Sequence, residues 1–131
     1  MSGDVDGDMA SSALVCVVDD DASVLRALHR LLRSDNYAVA TFASAEAFLA
    51  ADCRPSAHCV ILDVDLAGMS GIELQERLAA SGVRTPVVFI TAHDDAVSRE
   101  RARRAGAVDY LRKPFDDVAL LRAVSRAIGD R

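Results

Sequence analysis

Four groups that could do chemistry each follow a run of apolar residues. Asp19-Asp20-Asp21 comes after Leu14–Val18, Asp63 after Val60–Leu62, Thr91 after Val87–Ile90, and Lys113 closes the segment that begins Val108–Leu111, directly before Pro114. Carboxylates a few ångströms apart repel, and the repulsion is relieved when one takes up a proton or a cation neutralises them. A hard divalent ion with oxygen ligands suits such a group: Mg2+ first, with Mn2+ or Ca2+ able to substitute. One carboxylate then remains for chemistry; it is ionised at neutral pH without a general base, and aspartyl phosphate is an established covalent intermediate. Phosphoryl transfer asks mainly for positioning and for neutralisation of the phosphoryl oxygens. A metal ion, the Thr91 hydroxyl and the Lys113 ammonium can supply one contact each. Lys113 is the single lysine beside fourteen arginines. A compact, mobile point charge is what distinguishes lysine from the planar guanidinium fork, and a phosphoryl oxygen is a fitting target for it.

The elements that must position these groups alternate regularly. Leu14–Val18, Ala38–Phe42, Cys59–Leu62, Val87–Ile90 and Val108–Leu111 read as strands. Between the first two, Val24, Leu25, Leu28, Leu31 and Leu32 form a helical stripe with Arg26, Arg30 and Arg33 on the other side. Ser44 suits the N-cap of Ala45–Ala51, Gly82 the stop of Ile72–Ser81 and Gly106 the stop of Ala96–Ala105. Asp116 or Asp117 opens a last helix with Leu121, Val124 and Ile128 on its core face. Strands separated by whole helices pair in parallel through right-handed crossovers. The expected fold is α/β, a doubly wound (βα)5 five-stranded parallel sheet. Ligands of such sheets sit beyond the carboxyl ends of the strands, where the aspartates, Thr91 and Lys113 all fall.

A chain of 131 residues is one domain with room for a core. Its net charge of −5 argues against a generic nucleic-acid binder or a membrane-surface protein. Residues 1–12 carry Asp4, Asp6 and Asp8 but no cation; they lack the start of a secretory signal and read as a disordered lead. Three cysteines, with Cys16 inside a strand, suit a reduced, cytoplasmic protein.

The runs Val17-Val18-Asp19-Asp20-Asp21, Leu62-Asp63-Val64-Asp65-Leu66 with Met69-Ser70-Gly71, Ile90-Thr91-Ala92 and Gly106–Phe115 resemble the response-regulator receiver domain of two-component signalling. The resemblance covers Leu14 to Ile128. Ser44–Leu49 and Gly106–Phe115 look most like the FixJ type, in which a receiver precedes a LuxR-type output domain. It implies a flavodoxin-like receiver over residues 13–131. Asp63 matches the phosphoacceptor and Asp20 the metal-binding acid, with Asp19 completing the acidic pair and Asp65 contributing its backbone carbonyl to the metal. Thr91 and Lys113 match the partners of the phosphoryl oxygens, Lys113–Pro114 a bond that is usually cis, and Thr91 with Tyr110 the switch pair, the ring turning inward on phosphorylation. The implied partners are a sensor histidine kinase, a second copy through the fourth helix, fifth strand and fifth helix, and an output domain outside this chain, with no direct contact to nucleic acid or membrane. An aspartyl phosphoacceptor of this type is a switch with at most slow self-dephosphorylation rather than an enzyme.

Ala67 departs from the family's usual proline, which implies a looser loop with no charged group lost. Asp65 and His93, two residues after the phosphoacceptor and the threonine, are placed to reach hydrolytic water and set the lifetime of the phosphorylated state. Asp21 reads more simply as an N-cap. Cys53, His58 and Cys59 lack a second pair at zinc spacing. Arg99, Arg101, Arg103 and Arg104 read as a solvated helix face before a partner contact. A phosphatase of the haloacid-dehalogenase type also uses Asp-x-Asp, but after its first strand; here Asp63-Val64-Asp65 follows the third. An inert module of the same fold would take up no phosphoryl group.

Overall fold

The computed structural model describes residues 12–51 and 56–129. Its ten elements alternate: β1 Leu14–Val18, α1 Ala22–Ser34, β2 Ala38–Phe42, α2 Ala45–Ala50, β3 Cys59–Asp63, α3 Gly71–Ala80, β4 Val87–Thr91, α4 Ala96–Arg104, β5 Asp109–Arg112 and α5 Asp117–Ile128. The strands form one sheet in the order β2-β1-β3-β4-β5, and every neighbouring pair is parallel. The order reverses between β1 and β3, so Asp19 and Asp63 end up on adjacent strands at the switch point where such folds bind ligands.

Strands covered on both faces need apolar residues pointing both ways, and the central ones have them: β3 and β4 are buried throughout. On one face Val15, Val17, Ile61, Val88 and Ile90 meet Leu28 and Leu32 of α1 and Leu120, Ala123 and Val124 of α5. On the other, Cys16, Val18, Val60, Leu62 and Phe89 meet Phe48 of α2, Ile72, Leu74 and Leu78 of α3, and Ala102 of α4.

β1 and β2 keep the bounds read from the sequence, the other elements with stated bounds shift by one residue at one or both ends, and the core face of α5 differs. β5 begins at Asp109, because Val108 is 38% exposed and β5 is an edge strand whose outer side needs no apolar cover. The core face of α5 is Leu120, Ala123 and Val124, with Leu121 and Ile128 packed at its margin. Adjacent leucines at 120 and 121 allow either stripe, and helix docking selects the first. Asp21 is the N-cap of α1: its side chain accepts from the Ser23 N–H at 2.9 Å and the Ser23 hydroxyl at 2.7 Å. Ser12, expected within the lead, is described, whereas 1–11 and Cys53 lie outside the described residues. Cys59 is buried in β3, its thiol pushed up to about 12 by burial, and His58 accepts the Leu14 N–H at 3.0 Å; both have structural roles.

Candidate functional site

The carboxyl rim of the sheet brings the expected groups together. Asp19, one residue past β1, and Asp63, the last of β3, are 0% and 3% exposed, and Asp20 beside them is open to solvent. Asp19, Asp20 and Asp63 each offer an oxygen within 4.8 Å of the others. The Lys113 ammonium donates to Asp19 Oδ2 at 2.8 Å and lies 3.6 Å from Asp63 Oδ2. The Lys113–Pro114 peptide is cis. Backbone donors hold both buried acids in place: the Asp21 N–H donates to Asp19 Oδ1 at 2.9 Å and the Asp65 N–H to Asp63 Oδ1 at 3.1 Å.

Burial, the largest influence, pushes the Asp63 carboxyl up to about 6; the Asp19 charge adds to the rise, and the Asp65 N–H and Lys113 oppose it. For Lys113, burial pulls downward, but the bond to Asp19 and the charges of Asp63 and Asp19 outweigh it and leave the ammonium above its ordinary value. The rim therefore carries more buried negative charge than one ammonium neutralises. Three carboxylate oxygens at that spacing, with no soft donor among them, fit a hard divalent cation.

Thr91 is completely buried at the end of β4. Its hydroxyl lies 2.9 Å from Asp65 Oδ2 and 3.0 Å from the His93 carbonyl, so its single proton serves one of them at a time; it also accepts the His93 N–H at 3.0 Å. His93 Nδ1 stands 3.5 Å from Asp65 Oδ2. The two residues expected to act on the lifetime of a phosphoryl group thus surround the threonine. Tyr110 belongs to the core cluster on the same sheet face, in register with Phe89, and at 9% exposure its ring is already inward, whereas the sequence reading has it turn inward only on phosphorylation. Burial pushes its phenol above the ordinary value, with Asp94 and Asp95 adding to the rise.

Two contributors were not recognised in the sequence. At Gly71 a Cβ would stand 2.2 Å from the Asp63 carbonyl oxygen, so any other residue there displaces the backbone that carries Asp63. Ser70 and Glu73 form a full capping box at the start of α3, with bonds of 3.1 Å each way, and the Ser-x-x-Glu pattern could have revealed it. In the loop with Ala67, Val64 and Leu66 are buried and Gly68 takes φ +80°, which anchors the turn.

Residues 15–125 match the response regulator receiver domain, and the chain belongs to that family. Nodulation protein W of Bradyrhizobium diazoefficiens is 42% identical over 118 residues, 90% of this chain and 52% of that protein. The transcriptional regulatory protein FixJ of Azorhizobium caulinodans is 40% identical over 121 residues, 92% of this chain and 57% of that protein, which supports the FixJ-type resemblance. The structure of a response regulator receiver protein from Burkholderia phymatum is 53% identical, with a TM-score of 0.79, covering 92% of this chain and 98% of that one. The chain spans about half the length of the curated relatives it matches. No helix among the described residues is long and apolar enough to cross a membrane.

Proposed function

We propose that this receiver domain accepts a phosphoryl group on Asp63 from the phosphohistidine of a sensor histidine kinase, in the cytoplasm, and so controls a signalling or transcriptional output. The single observation that carries the reading is the convergence of Asp63, Asp19, Asp20 and Lys113 on one rim. An Asp63 carboxylate oxygen forms the new O–P bond as the donor's N–P bond breaks, and the electron pair leaves with the imidazole nitrogen. Asp19, Asp20 and Asp63, with the Asp65 carbonyl, would hold Mg2+. The ion, when bound, neutralises charge on phosphoryl oxygens.

Lys113 takes a phosphoryl oxygen when it exchanges part of its bond to Asp19, and the Thr91 hydroxyl does so by leaving Asp65 and the His93 carbonyl. A local charge change thereby biases a two-state element made of α4, β5 and α5. That surface serves a second copy or a partner, and an output domain outside this chain reads it. Asp65 and His93 set how long the acyl phosphate lasts. The domain releases its one phosphoryl group slowly, unlike a phosphatase that turns over.

Intact mass before and after acetyl phosphate with Mg2+ tests this. Wild type should gain one phosphoryl group and Asp63→Asn none; equal gain, or none in either, overturns the assignment. The same masses followed over time in His93→Ala should show a changed lifetime, and an unchanged one removes His93 from the site.

A further inference from the structure

Tyr110 has a feature that neither packing nor the phosphoacceptor chemistry explains. Its hydroxyl is buried and has no hydrogen-bond partner among the described residues. A buried polar group without a partner costs on the order of 1–3 kcal/mol, so something else must hold the ring where it is. Phe89 touches it, with centroids 6.4 Å apart at 52°. Above it lies the Arg99 guanidinium, 4.7 Å from the ring centroid. Arg99 is itself fixed: Asp94 accepts from its Nε at 3.3 Å and its Nη2 at 2.8 Å, a two-point fork.

We propose that Arg99, aimed by Asp94, is a positioning residue that latches the Tyr110 ring inward, so that the ring's resting position is set by this ion pair. A guanidinium stacks over an aromatic face as well as attracting it, and Arg99 brings this contact to the ring from α4 with its own side chain 53% exposed. Asp94 lies three residues after Thr91, with His93 between them bonded to the Thr91 hydroxyl through both its N–H and its carbonyl. Movement of Thr91 therefore reaches Arg99 through three residues of backbone. The other arginine pairs on α4 have no such reach: Arg103 and Arg104 bond Glu100 on their own helix, and Arg101 bonds Glu76 of α3. The role of Arg99 as a latch on a switch residue rests on the phosphoacceptor reading; the contact to the ring does not.

Tyr37 and Tyr110 are the only tyrosines, so the full chain labelled with 3-fluorotyrosine gives two 19F resonances, assigned with Tyr37→Phe. In Arg99→Ala the Tyr110 resonance should move toward that of the free amino acid and gain a shift between H2O and D2O, with Tyr37 unmoved. Arg99→Lys, which keeps charge but loses the plane, should fall between. Asp94→Asn, which leaves Arg99 in place, should move in the same direction by less and serves if Arg99→Ala does not fold. Arg103→Ala, which breaks an ion pair on the same helix away from the ring, should leave both resonances in place. A Tyr110 resonance unchanged in both Arg99→Ala and Asp94→Asn, or shifted equally by Arg103→Ala, overturns the latch. Acetyl phosphate labelling of wild type separates the two readings: a released ring with no mass gain retires the phosphoacceptor and keeps the latch, and a mass gain with an immobile ring does the reverse.

Discussion

Helix α1 buries Leu28 and Leu32 to 2% and 0% exposure and leans Val24, Leu25 and Leu31 on the same cluster, whereas α4 buries Ala102 alone and leaves Val97 72% exposed. Both helices cover one parallel sheet, from opposite faces. Burying a leucine contributes roughly 1.5–3 kcal/mol, while an exposed ion pair is worth about 0–1 kcal/mol. Helix α1 is thus fixed by apolar area, and α4 by polar contacts around its rim: Arg99 with Asp94, Arg101 with Glu76, and the Gln75 amide with the Ala105 carbonyl. Elements with few buried apolar contacts open at low free energy, and here that element lies over Tyr110 and beside Thr91. The lesson is that α4, the helix proposed to respond, is held by fewer buried apolar side chains than α1.

The largest effect expected from this contrast is on α1. Leu32→Ala should lower unfolding free energy by about 2–5 kcal/mol, read from the denaturant midpoint at unchanged slope. The corresponding apolar truncation on α4, Val97→Ala, should stay within about 0.5 kcal/mol of wild type. Comparable losses at the two positions would mean that α4 is held as firmly as α1.

The rim between the two faces carries the opposite sign. Asp63 sits at about 6 in the folded chain against an ordinary 3.8, so the folded state retains a proton that the unfolded chain has already released. The resulting penalty is absent below about pH 3.8, grows between there and about pH 6, and is complete above it. At about 1.4 kcal/mol per unit, its full size is on the order of 1–3 kcal/mol. Asp63→Asn, measured in a chelator, should therefore stabilise the domain by that order at pH 7, with the gain fading toward pH 4. A destabilised variant would show that Lys113 and the Asp65 N–H more than offset the burial of this charge.

The division between the two helices was only half legible in the sequence. The stripe of α1 announced its buried face, because five apolar residues repeat at helical spacing and the arginines fall elsewhere. The strand ends announced the site for a similar reason: a parallel sheet places every strand's carboxyl end on one rim, so Asp19, Asp63, Thr91 and Lys113 converge by topology alone. The contacts of α4 had no such signal. Arg99, Arg101, Arg103 and Arg104 look alike in the chain, and only the fold separates the one that covers a tyrosine from the two that pair with Glu100. Thr91 was expected to face a phosphoryl group, and its resting partner, Asp65, depends on loop geometry that spacing does not encode. The close approach of Gly71 to the Asp63 carbonyl is likewise a distance between elements, which no local pattern carries.

The smallest effect tests the polar half of the contrast most directly. Gln75 is 8% exposed on α3, and its amide donates at 3.0 Å to the carbonyl of Ala105, the C-cap residue of α4. The last carbonyls of a helix have no partner within it, so this bond satisfies one that α4 cannot and ties its end to α3. The bond's net worth is about 1 kcal/mol, enough to matter only where little else holds the element. In Gln75→Ala, amide hydrogen exchange in α4 should therefore quicken by about fivefold, the factor that such a free energy implies, while the amides of α1 keep their wild-type rates. Glu76→Ala, which removes the exposed partner of Arg101, should act in the same place by less, since both side chains are about half exposed. Equal acceleration in α1 and α4 would mean that the substitution lowered global stability rather than freeing one helix, and unchanged rates in α4 would mean that its hold on the sheet lies outside these polar contacts.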